Sequence, residues 1–551
     1  MTNSDIADIL KAYADLSELH GENPFKIKSF TSASFRIDKL IEPLFGKTLQ
    51  ELENTEGIGK SIAQKLVQIF ETNTFPELTQ LIESTPAGVR QIMRIKGIGP
   101  KKVSIIWKEM QIESIGELLY ACKENRLAQY KGFGLKTQEA IIKQIEFMFA
   151  SAGQFHYAKI YPIANELMQQ VQQLESVEKI SFTGEFYRKM ETLSCVEILI
   201  GTSDALFFAE EFESFFEFPY SEETFQIEAF SFKIRVCKTP EFAYQLFQFG
   251  SNQHHAAKVL ERIGSDRKNF ESELEIYQAA NMAFVHPEMR EDRGEIVRAI
   301  ENTLPNLITY SDLKGPLHNH STYSDGLHSI ETMADYCVKQ GYEYLGMADH
   351  SKSAFYANGL SEERVMQQLS EIAQLNQKYA GTFKIFTGIE SDILYDGNLD
   401  YANDLLKAFD YVVASVHSIL KMNEEKAMSR LIKAIENPYT TILGHPTGRL
   451  LLMREGYPIN HHKIIDACAA NGVIMELNAN PYRLDMDWRY IDYALNKGVM
   501  ISINPDAHEV EGFYDMFFGV AVARKGGLMK EMCFNAQSVS YLETHFKKRK
   551  V

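Results

Sequence analysis

Apolar residues in the first 150 positions recur at helical spacing. Ile6, Ile9, Leu10, Tyr13 and Leu16 form one stripe. Three later stripes, Ile62/Leu66/Ile69, Val103/Ile106/Trp107 and Ala140/Ile141/Ile145, each follow the same short glycine pattern. The three copies are Glu56-Gly57-Ile58-Gly59-Lys60, Lys96-Gly97-Ile98-Gly99-Pro100 and Lys131-Gly132-Phe133-Gly134-Leu135. Each copy predicts a helix, a glycine hairpin and a second helix. From about Phe155 the pattern turns to mixed α/β, with strand-like runs at 179–182, 197–200 and 232–236. Residues 256–300 read as mostly helical with loops. Near Asp312 a third regime begins, in which short apolar strands alternate with helices as in a parallel α/β sheet or barrel. The expected fold class is multidomain α/β, divided at 1–88, 89–152, 153–255, 256–305 and 312–551.

Composition narrows the class. The chain has 551 residues and a formal charge of −17, yet residues 1–150 are neutral and the whole acidic excess lies downstream. The front half can therefore meet an anion more readily than the back. The six cysteines form no C-x-x-C pair, which argues against a disulfide framework or a thiolate zinc knot. The N-terminus lacks the basic, apolar character of a signal peptide, and no apolar run approaches the ~20 residues that span a bilayer. A reducing, cytoplasmic location with no membrane partner is expected.

In the third regime, six of seven strand-like segments end in or run into a residue that can ligate a metal: His318 and His320, His350, Glu390, His417, His445, and Asp506 with His508. Asp325 follows the first, and the seventh segment offers Glu476 and Asn478. A closed parallel barrel gathers strand C-termini at one rim, so six imidazoles and three carboxylates would converge. Imidazole with carboxylate suits Zn, Mn or Fe. Nine ligands exceed the need of one ion and fit two or three, with Glu390 the natural bridge. His328, His461, His462 and His545 lie away from strand ends and are left out.

These residues sit in recognisable motifs. His318-Asn319-His320 through Asp325-Gly326, Ala348-Asp349-His350, Gly388-Ile389-Glu390, Ser415-Val416-His417, Gly444-His445-Pro446 and Asn504-Pro505-Asp506-Ala507-His508 resemble PHP (polymerase and histidinol phosphatase) domains over 312–551. The resemblance implies a distorted (β/α)7 barrel with a trinuclear Mn, Zn or Fe site that hydrolyses phosphate esters. Its implied ligands are His318, His320, Asp325, His350, Glu390, His417, His445, Asp506 and His508, with Glu390, Asp506 and His320 expected to be catalytic. Arg449 and Lys421, just past strand ends, are candidate phosphate holders, although surface solvation is the commoner role.

A glycine hairpin between helices turns backbone N–H groups outward and suits a phosphate oxygen. Three of them, with Gly57, Gly59, Lys60, Gly97, Gly99, Lys101, Lys102, Gly132 and Gly134 as the expected contacts, point to DNA backbone binding. They resemble helix-hairpin-helix motifs. Followed by an α/β region, a thumb-like stretch (Pro287-Glu288-Met289-Arg290-Glu291-Asp292-Arg293-Gly294-Glu295) and the PHP motifs, they resemble bacterial family X DNA polymerases over the whole chain. That resemblance makes 1–88 an 8-kDa-like domain, 89–152 fingers-like, 153–255 a nucleotidyltransferase-like palm, 256–305 a thumb and 312–551 the PHP domain. It also implies a palm cage of three Asp holding Mg. Here the aligned positions read Cys195, Glu197 and Arg235, and Glu185 stands where the triphosphate turn belongs. Synthesis is expected to be lost. Lys65 matches the lysine that forms a Schiff base at abasic ends. The expected activity is metal-dependent cutting of gapped, nicked or 3′-ended DNA, as exonuclease or abasic-site endonuclease. The alternatives are an active polymerase with a PHP exonuclease, and a histidinol-phosphatase-like enzyme of small esters.

Overall fold

The structure, a computed structural model, describes the chain except residues 41, 96, 151–152, 229, 265–268 and 550–551. It separates into two compact units, Met1–Lys123 with Leu127–Ile145, and Glu124–Arg126 with Glu146–Val551.

The first unit is helical. Its opening helix, Asn3–His20, is fixed at both ends: Thr2 and Asp5 form a capping box, and Gly21 closes the helix in the left-handed region. All three glycine patterns form the same turn. Gly57, Gly97 and Gly132 have φ of 85°, 91° and 96°, a backbone region open to glycine at little cost. The middle residues Ile58, Ile98 and Phe133 are buried and pin each turn to the core. Gly59 and Gly99 then cap the helices Lys60–Thr72 and Pro100–Ser104, and Gly134 precedes Leu135–Ala150. The third repeat departs from the expected pattern. Only a single 3₁₀ turn, Leu127–Gln129, leads into its hairpin, because the helix Ile115–Lys123 stops before Asn125, which takes a left-handed φ of 57°. Lys96 lies outside the described residues.

The second unit carries two sheet systems. A two-residue pairing joins β1 (Phe155–His156) to β3 (Thr192–Leu193). A four-stranded sheet runs in the order β2 (Lys179–Thr183), β4 (Val196–Thr202), β6 (Phe230–Lys238), β5 (Phe225–Ile227). Only β4 and β6 are parallel in it, in the register Glu197↔Lys233 and Leu199↔Arg235.

The barrel follows. β7 (Tyr344–Gly346) pairs with β8 (Lys384–Phe386), while β9 (Gly388–Asp392), β10 (Tyr411–Ser415), β11 (Ile442–Leu443), β12 (Ile474–Asn478) and β13 (Ile501–Asn504) form a parallel sheet. The segment from Leu317 to His320 closes the ring. The carbonyls of Pro316, just before it, and of Asn319 accept from Gly346 and Ala348 N–H, and His320 N–H donates to Ala507 O at 2.9 Å. With β8 and β9 counted as one position interrupted only at Thr387, seven strand positions make the distorted barrel. Strands buried on both faces read as continuous apolar runs, and β9 to β13 are buried at every position.

Candidate metal centre

The ends of these strands place the nine residues singled out from the sequence in one pocket, eight of them no more than 6% exposed and His417 at the rim. Glu390 is the hub. Its Oε1 lies 3.2 Å from His318 Nε2, 3.1 Å from His417 Nε2 and 3.0 Å from His445 Nε2; its Oε2 lies 2.9 Å from His350 Nδ1 and 3.7 Å from His320 Nε2. Asp506 Oδ1 sits 2.9 Å from His320 Nε2 and 3.6 Å from His318 Nε2. Asp325 faces His508 Nε2 at 3.4 Å and His350 Nε2 at 3.6 Å. Three groups have ligand atoms close enough to share an ion: His320/Asp325/His350/His508, His318/His320/Asp506 and His350/Glu390/His417.

The donor set fits divalent cations. His318 Nε2, His320 Nδ1, Asp325 Oδ2, Glu390 Oε2, His445 Nδ1 and His508 Nε2 are buried without a hydrogen-bond partner. Burying so many unpaired polar atoms is costly unless something enters between them. Without cations the pocket holds protons instead. Burial pushes His417 and His508 down, but Glu390 and Asp392 beside the first and Asp325 beside the second more than offset it and hold both up at about 9. Burial likewise opposes the charged forms of Glu390, Asp325 and Asp506, yet the surrounding imidazoles keep all three well below the usual carboxylate range. His320 goes the other way: burial, then the neighbouring His508 and His350, lower it.

A second layer of carboxylates fixes the imidazoles. Glu476, read from the sequence as a possible ligand, instead accepts from His318 Nδ1 at 2.7 Å, from the His445 N–H at 3.1 Å and from Asn504 Nδ2 at 2.9 Å. Asp392 takes His417 Nδ1. Such partners set which ring nitrogen faces the ion. Asp349 escaped the sequence reading as a functional residue. It is fully buried and accepts five hydrogen bonds, from Ser321 N and Oγ, Ser324 N and Oγ, and Gln368 Nε2, so it clamps the loop that carries Asp325. Asp506 has a left-handed φ of 54°, a strained state that aspartate tolerates better than most residues. Arg449 is neither a phosphate holder nor a solvated side chain. Its guanidinium is bound to Arg483 O, Leu484 O and Asp487.

The helix-hairpin-helix domain family matches residues 1–75, a tandem helix-hairpin-helix family matches 89–146, and the PHP domain family matches 316–480. The DNA polymerase/3′-5′ exonuclease PolX of Bacillus subtilis (strain 168) is 32% identical over the full length of both chains. This chain belongs to the PolX family of bacterial family X DNA polymerases. A probable phosphatase of Thermoanaerobacter sp. (strain X514) is 26% identical over 42% of this chain and 94% of its own length. A probable phosphatase of Acetivibrio thermocellus is 27% identical over 30% of this chain and 65% of its own length.

The residues singled out in the four-stranded sheet are engaged by neighbours. Arg235 Nε donates to Glu197 Oε2 at 2.6 Å, and its guanidinium lies 4.4 Å from the Phe249 ring centroid. The Cys195 thiol is pushed up to about 11 by burial and then by Glu197, so it stays neutral. Arg188 and Lys189, three and four residues after Glu185, are engaged by Glu291 at 3.0 Å and Glu288 at 2.8 Å. Lys65 Nζ is held by both oxygens of Glu77 at 2.6 Å. No described helix is long and apolar enough to cross a membrane.

Proposed function

We propose that this chain is a metal-dependent DNA phosphodiesterase, trimming 3′ ends or incising abasic sites, whose polymerase-like half holds DNA without extending it. The Glu390-centred pocket carries the reading: buried ligand atoms without hydrogen-bond partners, among them His318 Nε2, Asp325 Oδ2, Glu390 Oε2 and His508 Nε2, suit cations and little else. Two or three divalent ions, Mn, Zn or Fe, would be held by His318, His320, Asp325, His350, Glu390, His417, His445, Asp506 and His508. When bound they supply Lewis acidity that activates water near neutral pH and neutralises phosphoryl oxygens. Glu390 presents its two oxygens to different imidazoles, which suits a bridging role. Glu476 and Asp392 hold the proton on the outer nitrogen of His318 and His417, leaving the inner nitrogen free to bind.

In the palm, a fixed guanidinium sits where a Mg ion would have to go, and it repels one. That supports loss of synthesis over the reading of an active polymerase. The exposed hairpin glycines, with Lys60, Lys101 and Lys102 beside them, suit sequence-independent contact with DNA phosphates. Lys65 is already engaged by a carboxylate, which counts against a lyase role.

The test incubates Mn-loaded protein with a labelled gapped duplex, with and without deoxynucleotides, beside an Asp506→Ala variant. Shortening by the parent alone, without extension, supports the reading. Extension would overturn the claim about the palm. An inert duplex with rapid phosphate release from a small ester would favour a small-ester phosphatase, as the likeness to probable phosphatases suggests.

A further inference from the structure

The loop after β7 carries a polar group that nothing described so far uses. Residues between His350 and Leu360 fold back on themselves: Leu360 N–H donates to His350 O at 2.9 Å, Ser351 N–H donates to Glu390 O at 3.0 Å, and Ser353 Oγ donates to Asp392 Oδ2 at 2.8 Å. The short turn Phe355–Ala357 at its tip points Phe355 into solvent. Tyr356 behaves differently. Its ring stands edge-on to His350, centroids 6.2 Å apart at 65°, and the Arg126 guanidinium of the same compact unit lies 4.5 Å from its centroid. Its hydroxyl is buried and has no hydrogen-bond partner. The carboxylates of Asp392 and Glu390 both act on it through space.

A buried hydroxyl without a partner is unfavourable, and in native proteins each such group calls for an explanation. Asp392, whose charge reaches it, makes no hydrogen bond with it and is engaged instead by His417 Nδ1 and Ser353 Oγ. An acceptor oxygen on a ligand entering the pocket would supply the missing partner. The group that a cluster of imidazoles and carboxylates loaded with cations would attract is a phosphoryl group, which is rich in acceptor oxygens. We infer that Tyr356 is a substrate-contacting residue of the barrel, whose hydroxyl donates a hydrogen bond to an oxygen of the phosphate held at the Glu390 centre. The inference rests on the phosphoesterase reading, and extends it to a residue outside the ligand set. The hydroxyl acts as a fixed donor and transfers no proton. Such a donor strengthens as charge builds on the phosphoryl oxygens, so it contributes more to turnover than to ground-state binding.

The test uses the full-length, Mn-loaded chain and Tyr356→Phe, which keeps the ring, its edge contact with His350 and its stacking under Arg126. Bound Mn should be unchanged. The Kd for inorganic phosphate, followed by calorimetry, should rise about 5- to 10-fold, as expected for one hydrogen bond lost. kcat on an end-labelled single strand should fall about 100-fold. A variant that binds phosphate within twofold of the parent, a variant that loses Mn, or a parent that binds no phosphate overturns the assignment. A parent that binds phosphate through Tyr356 yet cuts no DNA leaves the assignment standing and overturns the proposed nuclease activity instead.

Discussion

The barrel and the four-stranded sheet each bring a strand carboxylate into a half-buried or buried setting, and they balance its charge in opposite ways. Glu390 is surrounded by imidazoles, which give up their protons when a cation arrives. Glu197 is held by Arg235, whose guanidinium cannot be deprotonated and is covalently part of β6. A counter-charge that can leave makes a carboxylate a ligand. One that cannot leave makes it a structural ion pair. On the proposed reading, the same chain carries one site prepared for cations and one closed to them.

The sharpest way to break this comparison is to remove the hub. Glu390→Ala leaves His318, His350, His417 and His445 around an empty centre with no shared acceptor. Metal analysis of the purified variant should show loss of tightly bound ions, and hydrolysis of an end-labelled strand should fall at least ~1,000-fold, since the whole constellation acts as a unit. Retained metal with retained cutting would show that the chemistry lies elsewhere.

Asp349→Asn comes next. The new amide places a donor against Ser and backbone donors that now meet an acceptor, so the loop bearing Asp325 loosens. The expected cost is about 2–3 kcal/mol in urea unfolding, with metal affinity ~10–100-fold weaker. This residue shows what the sequence left out. The candidate ligands other than Asp325 were legible because each closes an apolar strand, and a run such as Ile442-Leu443-Gly444-His445 announces both the strand and its polar end. Asp349 precedes His350 and so faces the other way along an extended segment. Asp392, two positions after Glu390, shares its face and could have been found by that spacing. The Arg235–Glu197 pair needed the β4/β6 register, which no local pattern specifies. Arg449 looked solvated because only tertiary folding brings Arg483 O and Asp487 to it.

The balance of charge in the pocket also predicts a pH response. His417 and His508 sit at about 9 without cations, above the ~6.5 of free imidazole. Their contribution to the cation-free fold is fully present below about 6.5 and is lost as pH rises through about 9. Metal binding must displace those protons, so affinity climbs across the same window. Thermal melts of chelator-stripped protein should fall between pH 6.5 and 9, while the Mn-loaded protein holds or gains. Parallel curves for the two forms would refute the exchange of protons for ions.

The palm provides the reverse test, with a smaller expected effect because only the first step of function is asked for. Cys195→Asp combined with Arg235→Asp removes the fixed cation and supplies two carboxylates beside Glu197. Equilibrium dialysis should then count added Mn or Mg binding with about millimolar to micromolar affinity, worth roughly 4–8 kcal/mol at the standard state, where the parent's palm binds none. Extension of a primer should still be poor. Glu185 remains in place to repel a triphosphate, and Arg188 and Lys189 remain engaged by Glu291 and Glu288. If the double variant gains no ion, the ion pair is not what closes the palm, and the contrast with Glu390 must rest on the geometry of the strands.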